Sequence, residues 1–139
     1  MKDFFVAFFL IVLVTLAVPS VFSVSMNANI DAVRYFTPTA WLLISNRSGL
    51  QARDNSLVIS GTDVTGISVT VANTGTSSYS FFLVIVYVYN TSGNLVAYGY
   101  DIFWSWSNPL DPGETYTTTI TLNAPVPLNQ TAYVVVQIR

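Results

Sequence analysis

The sequence predicts a mainly β protein carrying one long N-terminal apolar α-helix, with the β part folded as an antiparallel sandwich. Three observations carry this prediction. No residue from Phe4 to Ile30 is charged, and the run Phe4 to Val18 is apolar on every side. From Ser56 to Arg139, short stretches rich in Val, Ile, Thr and Tyr alternate apolar with polar residues, the period-2 pattern of half-buried strands. Turn signals separate those stretches: Asn73-Thr74-Gly75, Asn90 to Asn94, and Asn108 to Glu114.

The apolar stretch sets the expected organisation. A helix that is hydrophobic all round must be buried in lipid, in a large core, or against copies of itself. About 20 apolar residues rising ~1.5 Å each span a bilayer core of ~30 Å. The expected helix runs from about Phe4 to Tyr35, with a kink at Pro19, where proline removes one backbone hydrogen bond. Three roles compete for the stretch: a cleaved secretory signal ending near Ser23 or Ser25, a permanent membrane anchor, or a helix that waits in the membrane and then packs against identical helices in a filament. Thr37-Pro38 ends it, because a residue before proline avoids helical geometry. The expected division is an apolar helix over 1–36, a connecting segment over 37–55 and a sandwich over 56–139. Trp41 to Ile44 reads equally as a strand or a last helical turn, and Asn46 to Asn55 reads as an exposed loop.

Within the sandwich, Leu57-Val58-Ile59 is short and β-branched, and Ile67, Val69 and Val71 alternate with Ser68, Thr70 and Ala72. Tyr79 to Tyr89 is apolar on both faces, so two covers are needed. One cover is the opposing sheet, and the other is a neighbouring subunit, the chain's own segment Trp41 to Ile44, or glycan; if a neighbour covers the face of Phe82, Val84, Val86 and Val88, Val84 and Val86 are assembly candidates. Leu95 to Trp106 is a second aromatic strand, joined to the first through a hairpin at Asn90 to Asn94. Tyr116, Ile120 and Leu122 alternate with threonines, Pro125 and Pro127 mark a loop, and Ala132 to Ile138 closes the chain as a strand.

Composition excludes several function classes. Of 139 residues only 9% are charged while 52% are hydrophobic, against roughly 25% charged in ordinary soluble domains. So little charge suits a chain that buries its surface against copies or partners, or beneath glycan. Net charge is −2, and the five Lys and Arg residues are scattered, so no basic patch exists for nucleic acid. With no histidine, no cysteine and seven dispersed carboxylates, no catalytic constellation is present and no cofactor is implied.

Other candidate sites each have a plainer reading. Asn46-Arg47-Ser48, Asn90-Thr91-Ser92 and Asn129-Gln130-Thr131 match the glycosylation acceptor pattern, although Ser and Thr are abundant enough to give it by chance. Tyr98, Tyr100, Trp104 and Trp106 suit a carbohydrate-stacking platform, with sandwich core or subunit contact the favoured reading. Asp63, Asp101, Asp111 and Glu114 include oxygen donors suited to calcium, but without EF-hand spacing, so turn and cap roles are favoured. Asp3 is placed to pair with a neighbour's α-amino group in a helix bundle. Phe4, Phe8, Ile11 and Pro19 are the further assembly candidates of the apolar stretch.

Ile67 to Gly75, ending in Asn73-Thr74-Gly75, and Leu110-Asp111-Pro112-Gly113-Glu114-Thr115 resemble the immunoglobulin-like modules of archaeal surface proteins. With the apolar N-terminal stretch, the chain is similar to archaeal type IV pilins and archaellins, and to the membrane-anchored accessory subunits of the archaellum motor. It departs from prepilins in lacking a basic-Gly cleavage motif before Phe4. The resemblance implies an immunoglobulin-like sandwich head and a homopolymeric filament at the cell surface. It also implies membrane residence before assembly and possible contact with glycan or surface-layer protein. The alternatives are an envelope accessory protein, a secreted adhesin, or a subunit that polymerises by donating a strand.

Overall fold

The computed structural model describes residues 32–37 and 40–139, with side chains from residue 40 onward. Over these residues eight strands follow in chain order: β1 (Ala32–Thr37), β2 (Ala40–Ser45), β3 (Leu50–Ser60), β4 (Asp63–Asn73), β5 (Phe81–Tyr89), β6 (Leu95–Trp104), β7 (Thr115–Pro127) and β8 (Tyr133–Ile138). A 3-10 turn, Leu128–Gln130, joins the last two. They form two layers: a five-stranded sheet ordered β1-β2-β8-β5-β6 and a three-stranded sheet ordered β3-β4-β7.

Period-2 alternation builds the core between these layers. Phe82, Val84, Val86 and Val88 of β5 meet Val64, Ile67, Val69 and Val71 of β4 in one cluster, joined by Leu42 and Ile44 of β2 and by Val134, Val136 and Ile138 of β8. Phe82 stacks on Phe103 with ring centroids 4.7 Å apart, and Tyr116 meets both rings edge-on. On the outside of the three-stranded sheet, Thr70 and Thr117 face each other with hydroxyls 2.9 Å apart. That face is polar, as the threonine alternation predicts.

The two motifs that carried the resemblance are bonded to each other. Asn73 closes β4 and is fully buried. Its amide nitrogen donates to the Ser77 and Leu110 carbonyls at 2.8 and 2.9 Å, and its Oδ1 accepts from the Gly75 N–H at 3.0 Å. Its backbone bonds Glu114 and Gly113 as well. In the second motif the Asp111 N–H donates to Glu114 Oε1, and Gly113 takes φ 88°, the left-handed region open to glycine. One asparagine therefore ties the end of β4 to the turn before β7.

The seam between β6 and β7 is closed without a strand ladder. A Cβ at Gly99 would lie 2.5 Å from the Thr121 carbonyl oxygen, so the absence of a side chain permits the close approach. Asn123 Oδ1 accepts the Tyr98 N–H, while Asp101 Oδ2 accepts from the Tyr116 and Thr118 hydroxyls at 2.6 and 2.7 Å. These bonds also blunt β6 as an edge. The opposite edge, β3, is blunted by a bulge between Arg53 and Ser56, where Asp54 takes φ 49°.

Several expectations are corrected. The long apolar helix does not reach Tyr35, because Ala32–Thr37 is a strand paired antiparallel with β2. Among the described residues there is no helix long and apolar enough to cross a membrane. The predicted class, mainly β with a long N-terminal helix, is replaced over these residues by a two-sheet β fold. The reason is register: Trp41, Leu42 and Leu43 pair backward onto Tyr35, Arg34 and Val33, which converts the continuation of the apolar run into a hairpin. Trp41 to Ile44 is strand, not helix, and it belongs to the sandwich. The connecting segment placed at 37–55 shrinks to Asn46–Gly49, since β3 starts at Leu50. Pro125 and Pro127 lie within β7, not in a loop. The sandwich is also not wholly antiparallel: β2 runs parallel to β8.

Candidate assembly surfaces

The first surface is the slot that β2 occupies. Ala40, Leu42, Leu43, Ile44 and Ser45 are all buried. Leu42 and Ile44 enter the core, and the register sets Leu42 beside Val134 and Ile44 beside Val136. All other strand pairs among the described residues are antiparallel. Without β2, β8 would lose one neighbour and its core-facing valines would lose their cover on that side. The unit from β3 to β8 is thus completed by a strand from outside its own contiguous span. The chain is fixed again just after β2. The Arg47 guanidinium donates to the Phe81 and Arg139 carbonyls at 3.2 and 3.4 Å and lies 4.9 Å from the Tyr79 ring centre. The Tyr79 hydroxyl donates to the Ser48 carbonyl at 2.6 Å. From Arg47 onward the backbone is clasped to the body independently of the β2–β8 pairing, and Ser45–Asn46 is the junction between the two.

The second surface is the outer face of the five-stranded sheet. Cross-strand register aligns Phe81 with Trp104, Leu83 with Ile102, Ile85 with Tyr100 and Tyr87 with Tyr98. Toward β8 and β2 this face is closed, with Val135 and Leu43 buried. Toward β6 it is open: Tyr98 is 47% exposed, Tyr100 63% and Trp104 66%, and Trp106 just beyond the strand is 74% exposed. Of the favoured reading of these four aromatics as sandwich core or subunit contact, the core half is corrected. They point outward because Ala97, Gly99, Asp101 and Phe103 take the inward positions of β6.

The face of β5 offered to a neighbouring subunit is covered within the chain itself, by the opposing sheet. Val84 and Val86, named as assembly candidates, are fully buried between the sheets, as are Phe82 and Val88. The residues left outside are Phe81, Leu83, Ile85 and Tyr87. Small residues on the neighbouring strand carried the missing signal, since Ala97 and Gly99 pair with Val88 and Val86 and leave room only on the inner side. Asp3, Phe4, Phe8, Ile11 and Pro19 lie outside the described residues.

The remaining candidates are dispersed. Asn46 Oδ1 accepts the Ala52 N–H, and Asn90 Oδ1 caps its own turn through the Ser92 and Asn94 N–H groups. Asn129 is exposed on the 3-10 turn, but the Thr131 hydroxyl two residues on is buried and donates to the Pro127 carbonyl. Ser78 donates to Asp111 in a turn, Asp63 opens β4, and Asp101 serves the seam. Among the described residues no group of three or more His, Cys, Asp or Glu is arranged to hold a metal. Burial, with the bond to and charge of Asp101 adding to it, raises the Tyr116 hydroxyl above its ordinary pKa. Burial likewise raises Tyr133, and Tyr89 with a further contribution from Tyr87. No protein-family model, curated protein or solved structure matches this chain.

Proposed function

We propose that this chain is a structural, non-enzymatic subunit of an extracellular cell-surface filament, a homopolymer in which β2 of one copy seats beside β8 of the next. The observation that carries this reading is the place of β2. It is an early strand, buried on both faces, that fills a slot beside the last strand of the chain. In the single chain the strand fills its own slot. The same contacts made in trans generate a head-to-tail, heterologous contact that propagates, because exchange of an identical element adds no new interface to be built. Main-chain bonds supply affinity and the inward side chains supply register. The Arg47 clasp supports the exchange, since it holds the chain after β2 on the body while β2 itself is replaced by the same strand of a neighbour. The low charge and the uncharged stretch Phe4 to Ile30 support a place at the membrane and cell surface before assembly.

The test uses the full-length chain released from mild detergent, with filaments followed by sedimentation and negative-stain microscopy. A synthetic peptide of residues 38–46, carrying solubilising lysines, competes for the slot. Excess peptide is expected to shorten filaments in proportion to its concentration. Filament length indifferent to the peptide, or a chain that stays monomeric at every concentration, overturns the reading.

A further inference from the structure

The outer face of β5 and β6 goes beyond head-to-tail polymerisation, because it lies on a different part of the fold from the β2 slot. Phe81, Tyr98, Tyr100, Ile102 and Trp104 are each close to half exposed or more, and strand register places them on one side of one sheet. Phe81 and Trp104 already meet edge-on at 6.1 Å, so the aromatic strip is continuous across the two strands. Aromatic side chains bury ~150–250 Å² each when covered, so the open part of this strip is roughly 500 Å² before its half-buried neighbours add theirs. A standard interface takes about 800 Å² per partner, which the strip approaches only together with its half-buried neighbours Leu83, Ile85 and Tyr87, and a patch of this size is on the scale that is often functional.

Charge and edge chemistry narrow the occupant. The face carries no Asp, Glu, Lys or Arg at any of its β5 and β6 positions, so two copies meet there without like-charge repulsion. It offers no cation for a lipid phosphate. Edge-to-edge pairing through β6 is obstructed, because Asn123 already occupies the Tyr98 N–H. What remains is sheet-on-sheet packing at ~10 Å spacing, with side chains interdigitating. The outer side of the other sheet is lined with threonine and offers nothing comparable.

We infer that this face is the site of lateral, two-fold pairing with a second copy of the chain, β5–β6 against β5–β6. A two-fold contact is self-complementary, so each residue near the axis faces its own counterpart. The pairing does not depend on strand exchange. It ties chains, or filaments built from them, side by side.

The chain contains no cysteine, so one introduced thiol reports cleanly. Full-length Tyr100→Cys in mild detergent is expected to give a covalent dimer on mild oxidation, whereas Thr119→Cys on the opposite sheet is not. Tyr100→Lys and Trp104→Lys are each expected to weaken self-association in sedimentation by about tenfold or more, with unchanged circular dichroism. Lateral pairs persist when the slot-filling peptide is present, which separates this contact from the head-to-tail one. The inference is overturned if both lysine variants associate like the parent chain. It is equally overturned if the parent's face binds neutral phospholipid vesicles or oligosaccharide in a Trp104-dependent way while association is unaffected.

Discussion

Gly99→Val is expected to cost about 3 kcal/mol or more and to lower Tm by about 10 °C or more. The β6 backbone passes so close to β7 that a Cβ at residue 99 would sit 2.5 Å from the Thr121 carbonyl oxygen and 2.8 Å from Ile120 Cγ2. The first of these neighbours is backbone and has no rotamer to yield. Relief requires the two strands to part, and parting stretches the Tyr98–Asn123 and Asp101–Tyr116 bonds that close the seam. Gly113→Ala makes the instructive comparison. Its φ of 88° is strained for alanine, yet no atom lies within 4 Å of the added Cβ, so only the left-handed penalty of about 1 kcal/mol applies. Thermal melting of both variants followed by circular dichroism checks the pair. A Gly99→Val loss no larger than that of Gly113→Ala would show that the seam is not close-packed.

Ile44→Asp is expected to abolish filaments and to destabilise the folded chain by about 4 kcal/mol or more, combining lost apolar burial with a buried carboxylate. Ile44 is fully buried in the cluster that joins both sheets and stands beside Val136 in the β2–β8 register. Ile44→Val, which removes one methylene, is expected to keep filaments and to cost about 1 kcal/mol. The informative arm is rescue. The peptide of residues 38–46 retains the wild-type isoleucine, so it is expected to enter the slot vacated by the faulty strand and raise the variant's melting temperature. An Ile44→Asp chain whose stability ignores the peptide would mean that the slot does not accept a strand in trans.

Much of the β architecture was legible because alternation and turn chemistry are local. Ile67 to Val71 and Tyr116 to Leu122 read as half-buried strands and are so. The hairpin at Asn90 to Asn94 follows from an asparagine that bonds its own turn and from Gly93 at φ 82°. The failures were non-local. For Tyr79 to Tyr89, apolar on both sides, alternation leaves the inward side undecided; the small partners Ala97 and Gly99 settle it only once the strands are paired. The helix was extended beyond Ile30 because Ile30, Val33 and Phe36, with Asp31 and Arg34 three apart, also fit helical spacing, and so short a run cannot decide between helix and strand. The fate of Ala32–Ser45 is decided by pairing with β8, at the far end of the sequence. The β2–β8 pairing was invisible for the same reason, since no local pattern announces so distant a parallel partner.

Ser45 and Gln137 are Cα partners across the β2–β8 pair, and a chain without cysteine permits one decisive measurement. Full-length Ser45→Cys/Gln137→Cys is assembled, oxidised and run on a denaturing gel without reductant. Strand exchange places the thiol introduced at position 45 of each copy beside the thiol introduced at position 137 of a neighbour. The expected result is therefore a ladder of covalent dimers, trimers and longer chains that collapses to monomer with reductant. A single monomer band in which both thiols are consumed would show that each strand stays in its own chain, and would contradict polymerisation through the β2 slot.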